Sequence, residues 1–262
     1  MDYQHLFIEH QGHISWVHMN RPAVANALHY EHLAEIEHAC LSFRELAETR
    51  VVVFCGEGKH FSSGADLSDS GDAYKVPLVL RRRRMRMGQR AIEALLSIDQ
   101  ITIAAWQGAA MGGGACIATA CDFRIGANNC FMQYPEVDIG LNLMWKSLPL
   151  IINLVGPARA KRLVAGGERV HAQRLLDWGV LDVLVTLNEL TSTATRWAET
   201  YAAKPPIAVQ MIKQSTNQIC NANNHALMHM DADQNMFAAS TEDRKTAIDA
   251  YLAKTTPTFV GD

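Results

Sequence analysis

Two short apolar runs, each leading into a stretch of small residues, constrain the fold of this chain most strongly. VVVFC (51–55) ends at a break between Gly56 and Gly58, and ITIAAW (101–106) continues through Gln107 into GAAMGGGA (108–115). Apolar runs of this length bounded by glycine are typical of strands that are buried on both faces. We predict a small-residue helix over 115–120. Strands that alternate with helices favour parallel pairing with right-handed crossovers, and therefore a mixed α/β fold.

The remaining strand signals are shorter. HLFIEH (5–10) and HISWVHM (13–19) are joined through Gln11-Gly12, which predicts two strands linked by a tight turn. Residues 30–48 carry apolar side chains at helical spacing, which predicts one helix with a buried face. Further strands are predicted near 122–127, 131–134 and 181–185.

No strand pattern is present in the sequence beyond Asn188, where helices are expected instead. The sequence Lys204-Pro205-Pro206 predicts a break between two helices. The run 240–243 resembles the N-cap of a last helix that carries Ala247, Ile248 and Tyr251. We therefore expect an α/β core over 1–200 and a helical C-terminal region over 201–262.

The composition excludes several classes of protein. The chain has 262 residues, of which 48% are hydrophobic and 19% charged, and a formal net charge of −3. This balance indicates neither a nucleic acid nor an anionic membrane as partner. The N-terminus lacks the pattern of a signal peptide, and no apolar run approaches the ~18 residues of a membrane span. Six scattered cysteines without CxxC spacing predict reduced thiols in a cytoplasmic protein.

The two small-residue segments are also candidates for a binding site. HFSSGADL (60–67) follows the first apolar run, and QGAAMGGG (107–114) follows the second. Small residues let a ligand approach the main chain, and the N–H groups at the start of a helix are unpaired. Two such N–H groups aimed at one point could stabilise an oxyanion. The alternative is that both segments are tight turns; the phosphate-binding patterns of ATP and NAD proteins are not matched.

Six segments, taken in order, resemble the signatures of the crotonase (enoyl-CoA hydratase/isomerase) superfamily. They are RPAVANAL (21–28), FSSGADL (61–67), QGAAMGGGACIATACD (107–122), YPEVDIGL (134–141), GPARAKRLVAGGERVHAQRLLDWGVLDVLV (156–185) and TEDRKTAIDAYLAKTTPTF (241–259). The resemblance covers nearly the whole chain. It implies a spiral of ββα units followed by a C-terminal helical trimerisation region, assembled as trimers or hexamers. It also implies an enzyme that acts on an acyl-CoA thioester and needs no metal and no other cofactor.

The resemblance assigns roles to particular residues. The N–H groups of Ala65 and Gly113 are expected to form the oxyanion hole. Substrate-binding positions follow from the same motifs: Asn26, Ala27 and Leu28 at the adenine pocket; Ser63, Asp66, Leu67, Ser68 and Gly112 along the thioester and pantetheine path; and Tyr251 and Lys254 reaching the CoA from the C-terminal helix.

The acid/base residues depart from the family pattern. Hydratases of this family use two glutamates, and only the second is present here, as Glu136; Cys116 stands at the position of the first. Hydration divides its proton transfers between two carboxylates in the family, whereas moving a double bond needs one base. We expect an enoyl-CoA hydratase with Glu136 as acid/base, and a Δ3,Δ2-enoyl-CoA isomerase as the alternative. A decarboxylase or hydrolase of the same fold ranks third, and a non-catalytic acyl-CoA-binding protein is the alternative of another class.

Met144 and Trp145 place large apolar surface after Glu136, where small residues often line the acyl end of the family's pocket. They either pack into the core or a subunit contact, or reshape the acyl pocket. Cys116 is read as a buried small residue, with an activated thiolate as the alternative.

A basic cluster spans Arg81–Arg86. It predicts a solvated helical face, with a contact to the CoA phosphates as the sharper alternative and nucleic-acid binding as the weakest. His29 and His32 lie one helical turn apart, but no second pair with metal-ligand spacing accompanies them, so metal binding is not expected.

Overall fold

The computed structural model describes residues 2–66 and 76–262 and has the mixed α/β architecture expected from the sequence. The strands described are β1 Leu6–Gln11, β2 Ile14–Met19, β3 Val51–Gly56, β4 Ile101–Trp106, β5 Ala109–Met111, β6 Phe123–Ala127, β7 Phe131–Gln133, β8 Val170–His171 and β9 Val183–Val185.

Six strands form the main sheet in the order β1-β2-β3-β4-β6-β9. The hairpin β1–β2 is antiparallel, and every other neighbouring pair in this sheet is parallel. Successive side chains of β3 point to opposite faces, so Val52 and Phe54 join one core cluster while Val51 and Val53 join the other. Burial on both faces explains the unbroken apolar run of this strand.

The three short strands β5, β7 and β8 form a second sheet in the order β5-β7-β8. Strand β5 pairs in parallel with β7, and β7 pairs antiparallel with β8. In the β5–β7 register, Met111 pairs with Gln133. The chain leaves β5 towards Gly112 and leaves β7 towards Glu136, so the small sheet brings the second glycine segment next to the candidate acid/base.

The helices described in the first part of the chain are α1 Tyr30–Ser42, α2 Leu78–Arg84, α3 Met87–Leu96, α4 Gly113–Ala120, α5 Leu148–Val164 and α6 Ala172–Asp177. The C-terminal helices are α7 Leu190–Ala202, α8 Pro206–Asn221, α9 Asn224–Leu227, α10 Asp231–Ala238 and α11 Glu242–Ala253. Helix α5 is interrupted at Gly156, which has a φ of +77° and precedes Pro157. No helix in the described ranges is long and apolar enough to cross a membrane.

The C-terminal helices contact the core at two points. The ammonium group of Lys213 in α8 donates to the carbonyl oxygen of Gln100 at 2.7 Å and pairs with Asp122 at 2.7 Å. Helix α11 packs against the short 3-10 helix Val137–Ile139, where Arg244 donates to the carbonyl oxygen of Ile139. The last helix therefore lies beside the segment that carries Glu136. The domain boundary at residue 200 stays a prediction.

Most element predictions are confirmed; the errors are displaced element ends and two strands that were not predicted. The helix expected over 30–48 is wrong in length: it ends at Ser42 and gives way to a 3-10 turn over Phe43–Glu45. The strand expected over 181–185 begins only at Val183, because the Leu181 N–H donates to the Leu175 carbonyl oxygen at 3.2 Å. Strand β5 was not predicted because it lies inside the small-residue segment 108–115, and β8 was not predicted because two residues are too few to show a period.

Candidate active site

The N–H group of Gly113 is available to a ligand. Gly112 follows β5 with a φ of +47° and uses its own N–H on the Gln133 carbonyl oxygen at 2.9 Å. Gly113 is then the first residue of α4, where a helix offers no internal acceptor. Its N–H has no acceptor among the residues that the structure describes.

The N–H group of Ala65 is available for a different reason. Leu28 and Ala65 form a parallel bridge, in which Leu28 N–H donates to the Gly64 oxygen at 2.8 Å and Asp66 N–H donates to the Leu28 oxygen at 3.0 Å. In this pattern the Ala65 N–H points away from the partner strand. Within the described ranges it too has no acceptor.

Gly64 lets the two donor segments approach each other. Its φ is +88°, and a Cβ atom there would lie 2.4 Å from the Met111 carbonyl oxygen and 3.2 Å from the Gly113 nitrogen. Both the left-handed backbone and the lack of space therefore require glycine. Ala65 and Gly113 consequently line one cavity of about 270 Å³, which we call the catalytic cavity.

Glu136 lies in the wall of the catalytic cavity. It precedes the 3-10 helix Val137–Ile139 and directs its Oε1 atom at Gly112, where a Cβ atom would lie 2.7 Å from that oxygen. Its Oε2 atom is buried and has no hydrogen-bond partner among the described residues. Burial raises the pKa of Glu136 to about 7, so the carboxyl group can both accept and donate a proton near neutral pH.

Cys116 also borders the catalytic cavity, one turn into α4. The residue is buried, and burial followed by the charge of Glu136 raises the pKa of its thiol far above the ordinary range. The thiol is therefore neutral near pH 7. This supports the interpretation of Cys116 as a buried small residue and argues against an activated thiolate.

A second cavity of about 190 Å³, which we call the side cavity, adjoins the first. Both cavities are lined by Ala65, Leu141, Met144, Trp145 and Asn235. The side cavity is bounded in addition by residues in or next to α1, α2 and α3: His29, Tyr30, Leu33, Arg81, Arg84, Met85 and Gly88, with Arg244 from α11.

The predicted adenine-pocket residues are buried in the loop before α1. The side chain of Asn26 accepts from Arg21 N–H at 2.8 Å and donates to the carbonyl oxygens of Glu57 and His60 at 2.9 and 2.8 Å. Its amide therefore holds the loop together. Ala27 is buried, and Leu28 lines the side cavity. A CoA contact by the backbone of these three residues stays a prediction.

The other predicted substrate-binding residues are distributed around the cavities. Ser63, Gly112 and Tyr251 line the catalytic cavity, and Asp66 lines the side cavity while pairing with Arg21 at 3.0 Å. Lys254 caps α11 in a left-handed conformation, is exposed and lines neither cavity. Leu67 and Ser68 lie outside the described residues.

The histidine pair and the basic cluster have structural partners. His29 caps α1, its Nδ1 accepting from the His32 N–H at 3.1 Å, and burial lowers the pKa of His32 to about 4. No group of three or more His, Cys, Asp or Glu residues in the described ranges could hold a metal ion. Arg82 of α2 pairs with Asp233 of α10 at 2.5 Å, while Arg81 and Arg84 line the side cavity. A contact of this cluster with CoA phosphates stays a prediction.

Three contributors to the site could not be read from the sequence. Asn235 of α10 lines both cavities, Asp231 anchors the loop that follows Glu136, and Gly88 of α3 faces Trp145. Each acts through a contact between segments more than fifty residues apart. No local pattern marks such a contact.

A two-sheet α/β fold that presents two free N–H groups beside one buried carboxyl group defines a class of enzymes that stabilise an oxyanion while moving a proton. Residues 9–262 match the family "Enoyl-CoA hydratase/isomerase". A short-chain-enoyl-CoA hydratase of Clostridium acetobutylicum is 29% identical over 97% of each chain. A peroxisomal Delta(3,5)-Delta(2,4)-dienoyl-CoA isomerase of Arabidopsis thaliana is 29% identical over 92% of this chain and 90% of its own.

Among solved structures, an enoyl-CoA hydratase of Mycobacterium avium subsp. paratuberculosis superposes with a TM-score of 0.88 at 23% identity, covering 99% of this chain and all of the other. That likeness confirms the crotonase-type fold expected from the sequence. The chain belongs to the enoyl-CoA hydratase/isomerase family and is an acyl-CoA-processing enzyme.

Proposed function

We propose that this enzyme adds water across the C2–C3 double bond of an enoyl-CoA thioester, with Glu136 as the one carboxyl group that moves the proton. The observation that carries the proposal is the position of Glu136. Its carboxyl group lies against Gly112, next to the free N–H of Gly113, in a cavity that Ala65 also lines. The hydratase of Clostridium acetobutylicum supports the same reaction by its name.

The proposed reaction has two proton steps. Ionised Glu136 takes a proton from water as the hydroxide oxygen bonds to C3, and the electron pair of the double bond moves onto the thioester oxygen. The N–H groups of Ala65 and Gly113 stabilise that enolate oxygen; one such donor typically contributes about 3–4 kcal/mol. Protonated Glu136 then returns the proton to C2, and the carbonyl group reforms. One water is added and the carboxylate is regenerated.

Isomerisation of the double bond is the second candidate. It is favoured by Cys116, whose neutral, buried thiol supplies no second acid at the position where a hydratase carries a glutamate. Glu136 would remove a proton from C2 of a 3-enoyl-CoA and return it to C4, with the same enolate held by the same two N–H groups. The Arabidopsis dienoyl-CoA isomerase supports this candidate by its name.

Product analysis in H₂¹⁸O separates the candidates. A 2-enoyl-CoA that yields a 3-hydroxyacyl-CoA carrying one ¹⁸O supports hydration, and a 3-enoyl-CoA converted to a 2-enoyl-CoA without ¹⁸O supports isomerisation. Glu136→Gln should lower kcat by about 10²–10⁴ while the thioester still binds. The exposed Glu199 of α7 provides the matched control Glu199→Gln. Wild-type turnover in Glu136→Gln would contradict the proposal, and thioester binding with no turnover in any assay would indicate a binding protein.

We also propose a homotrimer or a dimer of trimers in the cytoplasm. Helix α8 exposes Ile207, Met211, Ile212 and Ile219, which is more apolar surface than a solvated helix usually presents. Phe237 of α10 is exposed as well. All six cysteines are free thiols, which suits a reducing compartment.

A further inference from the structure

The indole ring of Trp145 lies in a slot made by two glycines. A Cβ atom on Gly88 of α3 would lie 1.9 Å from the indole Cε2 atom, and one on Gly113 of α4 would lie 2.2 Å from Cζ3. Trp145 as a whole residue is 8% exposed. Because both glycines lack a Cβ atom, the ring rests on the backbone of two helices, and one of these carries the oxyanion-hole N–H.

The backbone that presents this ring is strained and firmly held. Trp145 and Lys146 both adopt a left-handed conformation, with φ values of +65° and +55°, which non-glycine residues rarely do. The Lys146 N–H donates to the Asp231 carboxylate at 2.6 Å, and its ammonium group pairs with Glu93 at 2.6 Å. The Ser147 hydroxyl donates to the Trp145 carbonyl oxygen at 3.1 Å. These contacts hold the backbone from which the indole projects.

The ring forms part of the wall between the catalytic cavity and the side cavity. Trp145 and Met144 line both cavities, while Glu136 lines only the first and Gly88 only the second. An acyl chain whose C2 lies at Glu136 has the catalytic cavity to fill. A longer chain that continued into the side cavity would have to pass the residues that line both cavities, and Trp145 has the bulkiest side chain among them.

We propose that Trp145 is the residue that limits acyl-chain length, and that the enzyme acts on short-chain acyl-CoA thioesters. This inference rests on the proposed function, because it assumes that the thioester carbonyl binds at Ala65 and Gly113. The two glycines and the Lys146–Asp231 contact keep the wall rigid. Pockets of this kind discriminate chains by steric fit, and a misfit of one methylene typically costs about tenfold or more in kcat/KM.

The test compares crotonyl-CoA with trans-2-decenoyl-CoA in wild type, Trp145→Phe and Trp145→Leu. The decenoyl-to-crotonyl ratio of kcat/KM should rise about tenfold or more in Trp145→Leu, and by less in Trp145→Phe. Trp178→Leu is the matched control, since that half-buried tryptophan packs under Arg162 and lines neither cavity. Its ratio should stay within about twofold of wild type.

A ratio that stays unchanged in both Trp145 variants would overturn the proposal. So would an equal loss for both substrates together with weaker binding of free CoA, because Trp145 would then contact the CoA portion. If Trp145→Leu does not fold, Trp145→Phe decides on the same criterion. Calorimetric binding of butyryl-CoA and decanoyl-CoA to the same variants needs no turnover, so it separates failure of the chain-length proposal from failure of the proposed reaction.

Discussion

The Oε1 atom of Glu136 lies 2.7 Å from the point that a Cβ atom on Gly112 would occupy. Gly112 has a φ of +47° and a ψ of −118°, a conformation that other residues do not adopt without strain. The backbone of the residue before α4 therefore forms the surface on which the carboxyl group rests. Any side chain at position 112 would move the Glu136 carboxyl group away from the free N–H of Gly113.

The raised pKa of Glu136 predicts the pH dependence of the reaction. The first step requires the carboxylate, and burial raises the pKa to about 7. We expect kcat/KM to fall about tenfold per pH unit below 7 and to level off above it. The measurement is a pH profile of kcat/KM with crotonyl-CoA. A kcat/KM that stays constant from pH 8 down to pH 5 would contradict Glu136 as the base.

The same pKa predicts that Glu136→Gln stabilises the fold at high pH. The pKa is raised from 4.5 to about 7, so between these values the folded state holds a proton that the unfolded state has lost. The free energy of unfolding therefore falls as pH rises. The total loss reaches about 3 kcal/mol once the pH is well above 7. Glutamine carries no charge to bury. Urea unfolding should show a stabilised variant at pH 8 and a smaller difference at pH 5; the reverse order would contradict the burial of this charge.

Cys116 should contribute little to turnover. Its thiol is neutral and moves no proton in the proposed reaction, so Cys116→Ala should change kcat by less than about threefold, against 10²–10⁴ for Glu136→Gln. Cys121→Ala is the matched control, a buried thiol at the far end of α4. A folded but inactive Cys116→Ala would mean that the thiol carries the chemistry.

Cys116→Glu tests whether a missing second acid limits hydration. Glu136 already acts on the thiol electrostatically, so a carboxyl group at this position would couple to it and the two would titrate as a pair. We expect hydratase activity to rise relative to isomerase activity, measured with 2-enoyl and 3-enoyl substrates. An unchanged ratio in a folded variant would show that one carboxyl group suffices.

A double-mutant cycle should show a coupling energy between Gly88 and Trp145. Gly88→Ala places a Cβ atom 1.9 Å from the indole and should destabilise the fold by about 1–3 kcal/mol. In the Trp145→Leu background the same substitution should cost much less, because the ring is gone. Urea unfolding of the four proteins gives the coupling energy. Additive effects would show that Gly88 and Trp145 do not share this contact.

The assembly is testable in solution. Sedimentation velocity at micromolar concentration should give three or six times the mass of the chain. Ile219 is exposed on α8 in the single chain. Ile219→Asp should shift the protein towards monomer, because the proposed subunit interface would bury an unpaired carboxylate, which is costly. The exposed Leu187 outside these helices provides the control Leu187→Asp. A wild-type monomer under these conditions would contradict the trimer.

The sequence by itself determined most of the strands, and it predicted the two donor segments and the candidate acid/base. VVVFC and ITIAAW predict β3 and β4 because strands buried on both faces must be apolar throughout. Gly64 and Gly112 are needed locally, for left-handed backbone and close approach, so their positions are visible in the motifs. The family resemblance of those motifs pointed to Ala65, Gly113 and Glu136, and the structure places all three on one cavity.

Only the tertiary structure decided the surroundings of those residues. The pKa of Glu136 depends on burial by residues distant in sequence, and the neutral state of Cys116 depends on the same burial. The sequence left Trp145 either in the core or in the acyl pocket. The structure buries Trp145 and also places it on the walls of both cavities, because Gly88 and Asp231 meet its loop from helices more than fifty residues away. A local sequence pattern reflects the backbone requirements of one segment. A cavity wall is formed by packing between distant segments, so it cannot be predicted from any one of them.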